Sequence, residues 1–219
     1  MAASAQLTPS PPRILCLHGK GDSGEKFAQR VAPLRNMADI VCIDAPHPLG
    51  RGYAWWYLKD GERSFNATAF EGWEQSVSTV LEAWSKQGPF DGLLGFSQGA
   101  ILLSACIATR VLNVKPSEDE SKASGQPKFM ILAGSALPGP FLEELKGYGA
   151  NRIKTGSAAG NDCALLHIIG RRDSINPPEQ AAQVQESLGG EIYYHDGDHD
   201  IPVDEASLEQ YAAFLKSIK

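Results

Sequence analysis

Ser97, Asp173 and His199 are residues of the types that carry out acyl transfer, and they follow one another in the order nucleophile, acid, base. Ser97 stands in Gly95-Phe96-Ser97-Gln98-Gly99, a G-x-S-x-G pentapeptide. A serine hydroxyl attacks a carbonyl effectively only if a base takes its proton during the attack, and histidine is the usual base. A carboxylate fixes the tautomer of that histidine and stabilises its charged form. The pentapeptide alone is a common pattern that also serves as a flexible turn. Its surroundings single it out. The run Pro89-Phe90-Asp91-Gly92-Leu93-Leu94 reads as a strand, and Ala100 to Ile107 as a buried helix, apolar nearly all round. A serine on the tight turn between such elements forms a nucleophile elbow. Its hydroxyl then stands above the sheet at the positive end of the helix.

On an α/β-hydrolase scaffold the acid and the base each lie on a loop past the carboxyl end of a later strand. Asp173 follows the apolar run Leu165-Leu166-His167-Ile168-Ile169 and the turn Gly170-Arg171-Arg172. The alternative for Asp173 is a turn cap or a partner for Arg171 or Arg172. Asp162 precedes its strand and lies at the wrong end of the sheet. Asp196, Asp198 and Asp200 crowd the histidine in sequence and fit a separate acid loop poorly. His199 lies between the last strand and the last helix, on a loop able to reach Ser97. Its rival His195 ends the strand. His167, inside a strand, is expected to be a satisfied core histidine, and His47 a structural or pocket-rim residue.

A tetrahedral intermediate also needs preorganised N–H donors for its oxyanion. The expected donors are the backbone N–H of Gln98, next to the nucleophile, and that of Lys20. Lys20 lies in the glycine-rich loop Leu17-His18-Gly19-Lys20-Gly21-Asp22-Ser23-Gly24, which resembles the H-G-x-G oxyanion loops and lacks Walker A spacing. The candidate substrate-pocket residues are His18, Tyr53, Trp55 and Trp56. The aromatic cluster falls where a crossing segment meets the carboxyl edge of the sheet. It either lines an acyl groove or packs its loop onto the core.

The elements that must position these residues alternate strand and helix. This pattern predicts a mainly parallel sheet of about six strands with helices on both faces. Strands are expected at 13–17, 39–44, 128–133, 164–169 and 191–195 besides the one before Ser97. A helix is expected over 23–34, shortened or kinked by Pro33. Thr68 with Glu71 forms a capping box for a helix carrying Phe70, Trp73, Val77, Val80, Leu81 and Trp84 at helical spacing. Asn176 is the expected N-cap of another helix, with Pro177 at its first position. Leu208, Tyr211, Ala212, Leu215 and Ile218 mark the closing helix. Residues 45–67 read as irregular and aromatic-rich, 115–127 as a solvated loop and 147–162 as a loose segment.

A chain of 219 residues suits one domain, here 13–219, after a disordered tail over 1–12. The net charge of −6 and a pI near 5.4 argue against nucleic-acid binding. Cys16, Cys42, Cys106 and Cys163 form no C-x-x-C pair and read as reduced core residues, which favours a cytoplasmic setting. The amino-terminal residues have no signal-peptide pattern, and no apolar run is long enough to span a bilayer. No metal or organic cofactor is implied.

These pieces together resemble the FSH family of serine hydrolases within the α/β-hydrolase superfamily, from about Pro12 to the carboxyl terminus. The resemblance is carried by Ile14-Leu15-Cys16-Leu17-His18-Gly19 with Ser23-Gly24, by Ala54-Trp55-Trp56, and by the block from Gly88 to Ala100. Gly170, Asp173 and Gly197-x-His199-x-x-Pro202 also match. The resemblance implies a compact hydrolase without a large cap domain, a Ser97–Asp173–His199 triad, and carboxylesterase or thioesterase action on acyl substrates. The family pattern has glycine just before the catalytic histidine. Here Asp198 stands in its place, and aspartate is expected to take the positive φ of that turn. The expected function is a serine carboxylesterase acting through an acyl-enzyme on Ser97. The alternatives are a thioesterase for carrier- or CoA-type thioesters and a non-catalytic ligand-binding homologue. The thioesterase would have an acyl carrier protein as a possible partner, docked through Arg51, Lys59, Arg171 and Arg172.

Overall fold

The parallel sheet expected from the strand–helix alternation forms, and it brings the loops of interest to one edge. A computed structural model describes residues 10–112, 125–155 and 163–218. In chain order the elements are β1 (Arg13–Leu17), α1 (Gly24–Arg30), β2 (Asp39–Ile43), β3 (His47–Leu49), β4 (Gly52–Ala54), α2 (Trp73–Gln87) and β5 (Gly92–Phe96). They continue with α3 (Gln98–Thr109), β6 (Phe129–Ala133), α4 (Leu142–Thr155), β7 (Ala164–Gly170), α5 (Pro178–Leu188), β8 (Glu191–His195) and α6 (Glu205–Ser217). Six strands pair in parallel in the order β2-β1-β5-β6-β7-β8. Every residue of β5 and β6 is buried, as in a parallel strand covered on both faces.

Successive strand side chains point to opposite faces, so the sheet divides the core in two. Leu15, Leu17 and Leu93 pack with Val80, Trp84, Leu102, Leu145 and Val184, from α2 to α5. Ile14, Cys16, Leu94 and Phe96 pack with Phe27 of α1 and Tyr211 and Phe214 of α6.

Several local expectations give way to tertiary contacts. α1 stops at Arg30, and Pro33 falls in a separate 3-10 turn, Ala32–Asn36. Thr68 and Glu71 do not cap α2. Its N-cap is Gly72, at φ 89, because Glu71 exchanges main-chain hydrogen bonds with Tyr57. The stretch 45–67 contains an antiparallel hairpin, β3 with β4. Pro177, not Asn176, stands at the N-cap of α5, and the Asn176 side chain donates to the Gly134 carbonyl at 2.8 Å. Residues 147–155 are helical, within α4. Leu145 and Tyr148 of that helix are buried, and one apolar stripe is enough to hold a surface helix. Most of the 115–127 loop and all of 156–162, Asp162 included, lie outside the described residues, as does 1–9 of the tail.

The four cysteines are free thiols, and burial raises the pKa of Cys106 and brings that of Cys163 up to about 12. Among the described residues no helix is long and apolar enough to cross a membrane.

His167 is only half satisfied. Its Nε2–H donates to the Gly189 carbonyl at 3.0 Å, whereas Nδ1 has no partner among the described residues. Burial lowers its pKa from 6.5 to about 4. Between those values the unfolded chain binds a proton that the folded chain refuses, so stability falls as pH drops. From pH 7 to pH 5 this group should remove about 2 kcal/mol. His167→Gln should lose that part of the pH dependence in urea titrations at the two pH values.

Candidate active site

Ser97 occupies the single residue between β5 and α3 and has φ 54 and ψ −117. A non-glycine residue held there costs on the order of 1–3 kcal/mol, so its surroundings must enforce the turn. Ser97 N–H donates to the Ala133 carbonyl at 2.9 Å, and the Ser97 carbonyl accepts from Ile101 N–H at 3.0 Å. A Cβ on Gly95 would stand 2.5 Å from the Gly99 carbonyl carbon, and one on Gly99 would collide with the Leu17 carbonyl. The two glycines therefore let α3 lie directly against β5 and β1.

The relay is built from loops at the same sheet edge. His199 Nε2 lies 2.8 Å from Ser97 Oγ, and His199 Nδ1 lies 2.7 Å from Asp173 Oδ2. Asp173 is buried, and its Oδ1 accepts from Ile175 N–H at 2.9 Å and Asn176 N–H at 2.7 Å. It is not a partner of Arg171, which reaches Asp196 at 3.4 Å. His195 ends β8, where its Nδ1 accepts from Gly197 N–H at 3.2 Å, and burial pushes its pKa down. It takes no part in the relay. His47 is structural, bonding through Nε2–H to the Gly72 carbonyl at 2.9 Å. Asp198 does not take a positive φ. Among the described residues only Ser97 and Arg110 do so without being glycine.

None of the four candidate pocket residues lines the hollow at Ser97. Trp55 and Trp56 are fully buried, as is His18. The Gln98 side chain grips the tryptophan segment. Its Oε1 accepts from Trp55 N–H at 2.9 Å and its Nε2 donates to the Trp56 carbonyl at 3.0 Å. The Trp55 indole donates to the His18 carbonyl at 2.8 Å, Ser76 Oγ donates to the Trp55 carbonyl, and Trp56 stacks on Phe70. His18 donates from Nδ1 to the Gly19 carbonyl at 2.7 Å and accepts at Nε2 from Ala45 N–H at 3.0 Å. That pattern requires the neutral ring, and burial lowers its pKa. These side chains support the elbow from behind. Tyr53 is half-buried, tied through its main chain to Gly21 and Asp22, and does not line the hollow at Ser97.

That hollow, about 510 Å³, is bounded by Gly19, Lys20, Gly21, Asp22, Arg30, Phe96, Ile175 and the Ser97–His199 pair. Among the described residues no other hydrogen bond takes the Lys20 or Gln98 N–H. Both are therefore available as donors. Phe96 lies against the His199 ring, with centroids 5.0 Å apart, and the Arg30 guanidinium lies over the same phenyl ring at 5.4 Å. Arg30 also approaches Asp22 at 3.7 Å. Phe96 could have been flagged from its place inside the pentapeptide. Arg30 and Ile175 have no local signal, because only the folded chain brings them to Ser97. Among the described residues no group of histidine, cysteine and carboxylate side chains is disposed to hold a metal ion.

A serine hydrogen-bonded to an imidazole, an imidazole fixed by a buried carboxylate and free amide donors beside them can together perform nucleophilic acyl transfer. The family model described as serine hydrolase (FSH1) matches residues 7–211. Esterase CG5412 of Drosophila melanogaster is 32% identical over 223 residues, covering 93% of this chain and 72% of its own. Esterase OVCA2 of Danio rerio is 28% identical, covering 94% of this chain and 97% of its own. Among solved structures, Zea mays acyl-protein thioesterase 2 matches with a TM-score of 0.64 at 18% identity, over 97% of this chain and 96% of that one. Esterase PE8 matches with a TM-score of 0.62 at 21% identity, over 96% and 94%. At these identities the two structures establish the shared α/β fold.

Gln98 gives a direct test of how the elbow is supported. Replacement by Leu leaves the buried Trp55 N–H and Trp56 carbonyl without partners. Such orphaned groups cost about 1–3 kcal/mol each. Gln98→Leu should therefore lower unfolding stability by about 2–4 kcal/mol in denaturant titrations.

Proposed function

The chain belongs to the FSH1 serine hydrolase family and is a hydrolase with the esterase fold, and from that premise we propose that it is a carboxylesterase acting through an acyl-enzyme on Ser97. The observation that carries this reading is the unbroken relay, 2.8 Å from Ser97 Oγ to His199 and 2.7 Å from His199 to Asp173. His199 Nε2 takes the Ser97 proton as Oγ attacks the ester carbonyl. Asp173 keeps the proton on Nδ1 and stabilises the imidazolium that forms. The Gln98 and Lys20 N–H groups hold the oxyanion. His199 then protonates the departing alkoxide, and water, deprotonated by the same imidazole, releases the acid and restores Ser97. Residues 13–219 act as one catalytic unit. Four free thiols fit a reducing compartment such as the cytoplasm.

A second reading is thioester hydrolysis. Lys20 and Arg30 place cationic side chains around the Ser97 hollow, where they suit the phosphates of a CoA-type or carrier-bound thioester. An acyl carrier protein is a partner on that reading. Of the basic residues first considered for docking, Arg171 is already engaged by Asp196 and by the Tyr194 ring at 4.6 Å.

Ser97→Ala should reduce kcat at least about 10³-fold while leaving the melting temperature near that of the wild type. A fluorophosphonate should label the wild-type protein at Ser97 and leave the variant unlabelled. Residual esterase activity near wild type in Ser97→Ala would overturn the mechanism. Turnover of an ester and a thioester with the same acyl group separates the two readings, and the carboxylesterase reading expects the ester to have the higher kcat/KM.

A further inference from the structure

His199 sits in the segment 196–204, which has no regular secondary structure, between β8 and α6. Its imidazole must nonetheless keep short hydrogen bonds to Ser97 on one side and Asp173 on the other. Fixing such a loop costs about 1–2 kcal/mol of conformational entropy per residue, so particular contacts have to hold it. Two are main-chain bonds that extend the pairing of β7 with β8 into the loops: Arg171 N–H to the His195 carbonyl at 2.9 Å, and Arg172 N–H to the Gly197 carbonyl at 3.1 Å. Gly170, lacking a Cβ, makes room for the Asp198 carbonyl to pass. The main-chain pairing ends there, just short of the two residues whose geometry matters.

The Asp198 side chain continues it. Oδ1 accepts from Ser174 N–H at 2.8 Å, from Ser174 Oγ at 3.0 Å and from His199 N–H at 2.8 Å, and Oδ2 lies 3.2 Å from Ser174 Oγ. Ser174 is the neighbour of Asp173, and Asp198 is the neighbour of His199. The consecutive N–H groups of 174, 175 and 176 are thus shared between two carboxylates, the first going to Asp198 and the next two to Asp173. This is not a helix cap, because α6 begins only at Glu205 and has Asp204 as its N-cap. Nor is it confined to its own turn, since Ser174 lies 24 residues away in sequence.

We infer that Asp198 is a positioning residue, whose carboxylate clamps the loop carrying His199 to the loop carrying Asp173 through Ser174. The inference rests on Ser97, His199 and Asp173 being the catalytic relay. Asp198 itself touches neither substrate nor reacting atoms. The N–H groups of Ser174 and His199 keep its carboxyl below the usual range, so the clamp is ionised at neutral pH. Loosening it would let the imidazole drift from its bonding positions. A displacement of the order of 1 Å in a catalytic group costs about a hundredfold in rate.

The test measures kcat and KM for p-nitrophenyl acetate across a set of folded variants, with thermal melts alongside. Asp198→Ala should lower kcat about tenfold to a hundredfold and leave KM within about threefold. Asp198→Asn keeps an oxygen acceptor at the Oδ1 position and should restore kcat to within about fivefold of wild type. Ser174→Ala should lower kcat about threefold, and its combination with Asp198→Ala should fall no further than Asp198→Ala alone. The clamp is overturned by kcat of Asp198→Ala within twofold of wild type, by a loss that appears only in the melting temperature, or by independent, multiplying effects of the two substitutions. Should Asp198→Ala fail to fold, Ser174→Ala and Asp198→Asn still decide it, because wild-type kcat in the first or full loss in the second contradicts the clamp. Ser97→Ala in the same assay separates the layers. Activity surviving there overturns the relay itself, whereas inactivity there with an unaffected Asp198→Ala overturns only the clamp.

Discussion

The structure depends on one backbone constraint, a serine forced to φ 54 in the single residue between the central strand β5 and helix α3. That conformation holds only because the sheet closes around it. β5 lies between β1 and β6. β6 supplies the Ala133 carbonyl that takes the Ser97 N–H, and β1 supplies the surface on which Gly99 rests. All six strands run in parallel, so the loops after β1, β5, β7 and β8 open on one edge. Lys20, Ser97, Asp173 and His199 meet there although long stretches of chain separate them.

The supports around that edge include buried polar groups with assigned partners. Gln98 follows Ser97, and its side-chain amide satisfies two main-chain groups of the tryptophan segment. His18 links the loop after β1 to Ala45 as a neutral ring. Inside a protein such bonds are directional and costly to break, which makes them better at fixing geometry than apolar contact alone. The aromatic residues supply bulk, and the polar groups between them supply register.

The parts of this arrangement legible in the sequence were those governed by local pattern. The pentapeptide, the apolar strands and the order of serine, acid and histidine could be read residue by residue, and β8 falls at 191–195 as expected. The capping role given to Thr68 and Glu71 failed because Tyr57, distant in sequence, claims the Glu71 main chain. Asn176 left its expected cap for the same kind of reason, its amide being drawn to Gly134. Trp55 and Trp56 were ambiguous because an apolar pair reads alike in a groove wall and in a core. Only the burial of both rings distinguishes the two. Arg30, on α1, and Ile175, close to Asp173, reach the hollow through tertiary folding that no short-range spacing encodes.

Ile175 joins two properties usually treated separately. Its N–H donates to the carboxylate that steadies His199, while its side chain, 44% exposed, forms part of the wall facing Ser97. The main-chain half of that arrangement is indifferent to side-chain identity, except that proline has no N–H to give. The side chain at this wall is therefore free to change by substitution while the hydrogen bond behind it stays intact. Insertions or deletions in the same loop have no such freedom, because they would shift wall and carboxylate together. Within this architecture, exchange of the residue at position 175 would alter the wall and leave the bond to Asp173 in place, whereas a change of loop length would disturb both.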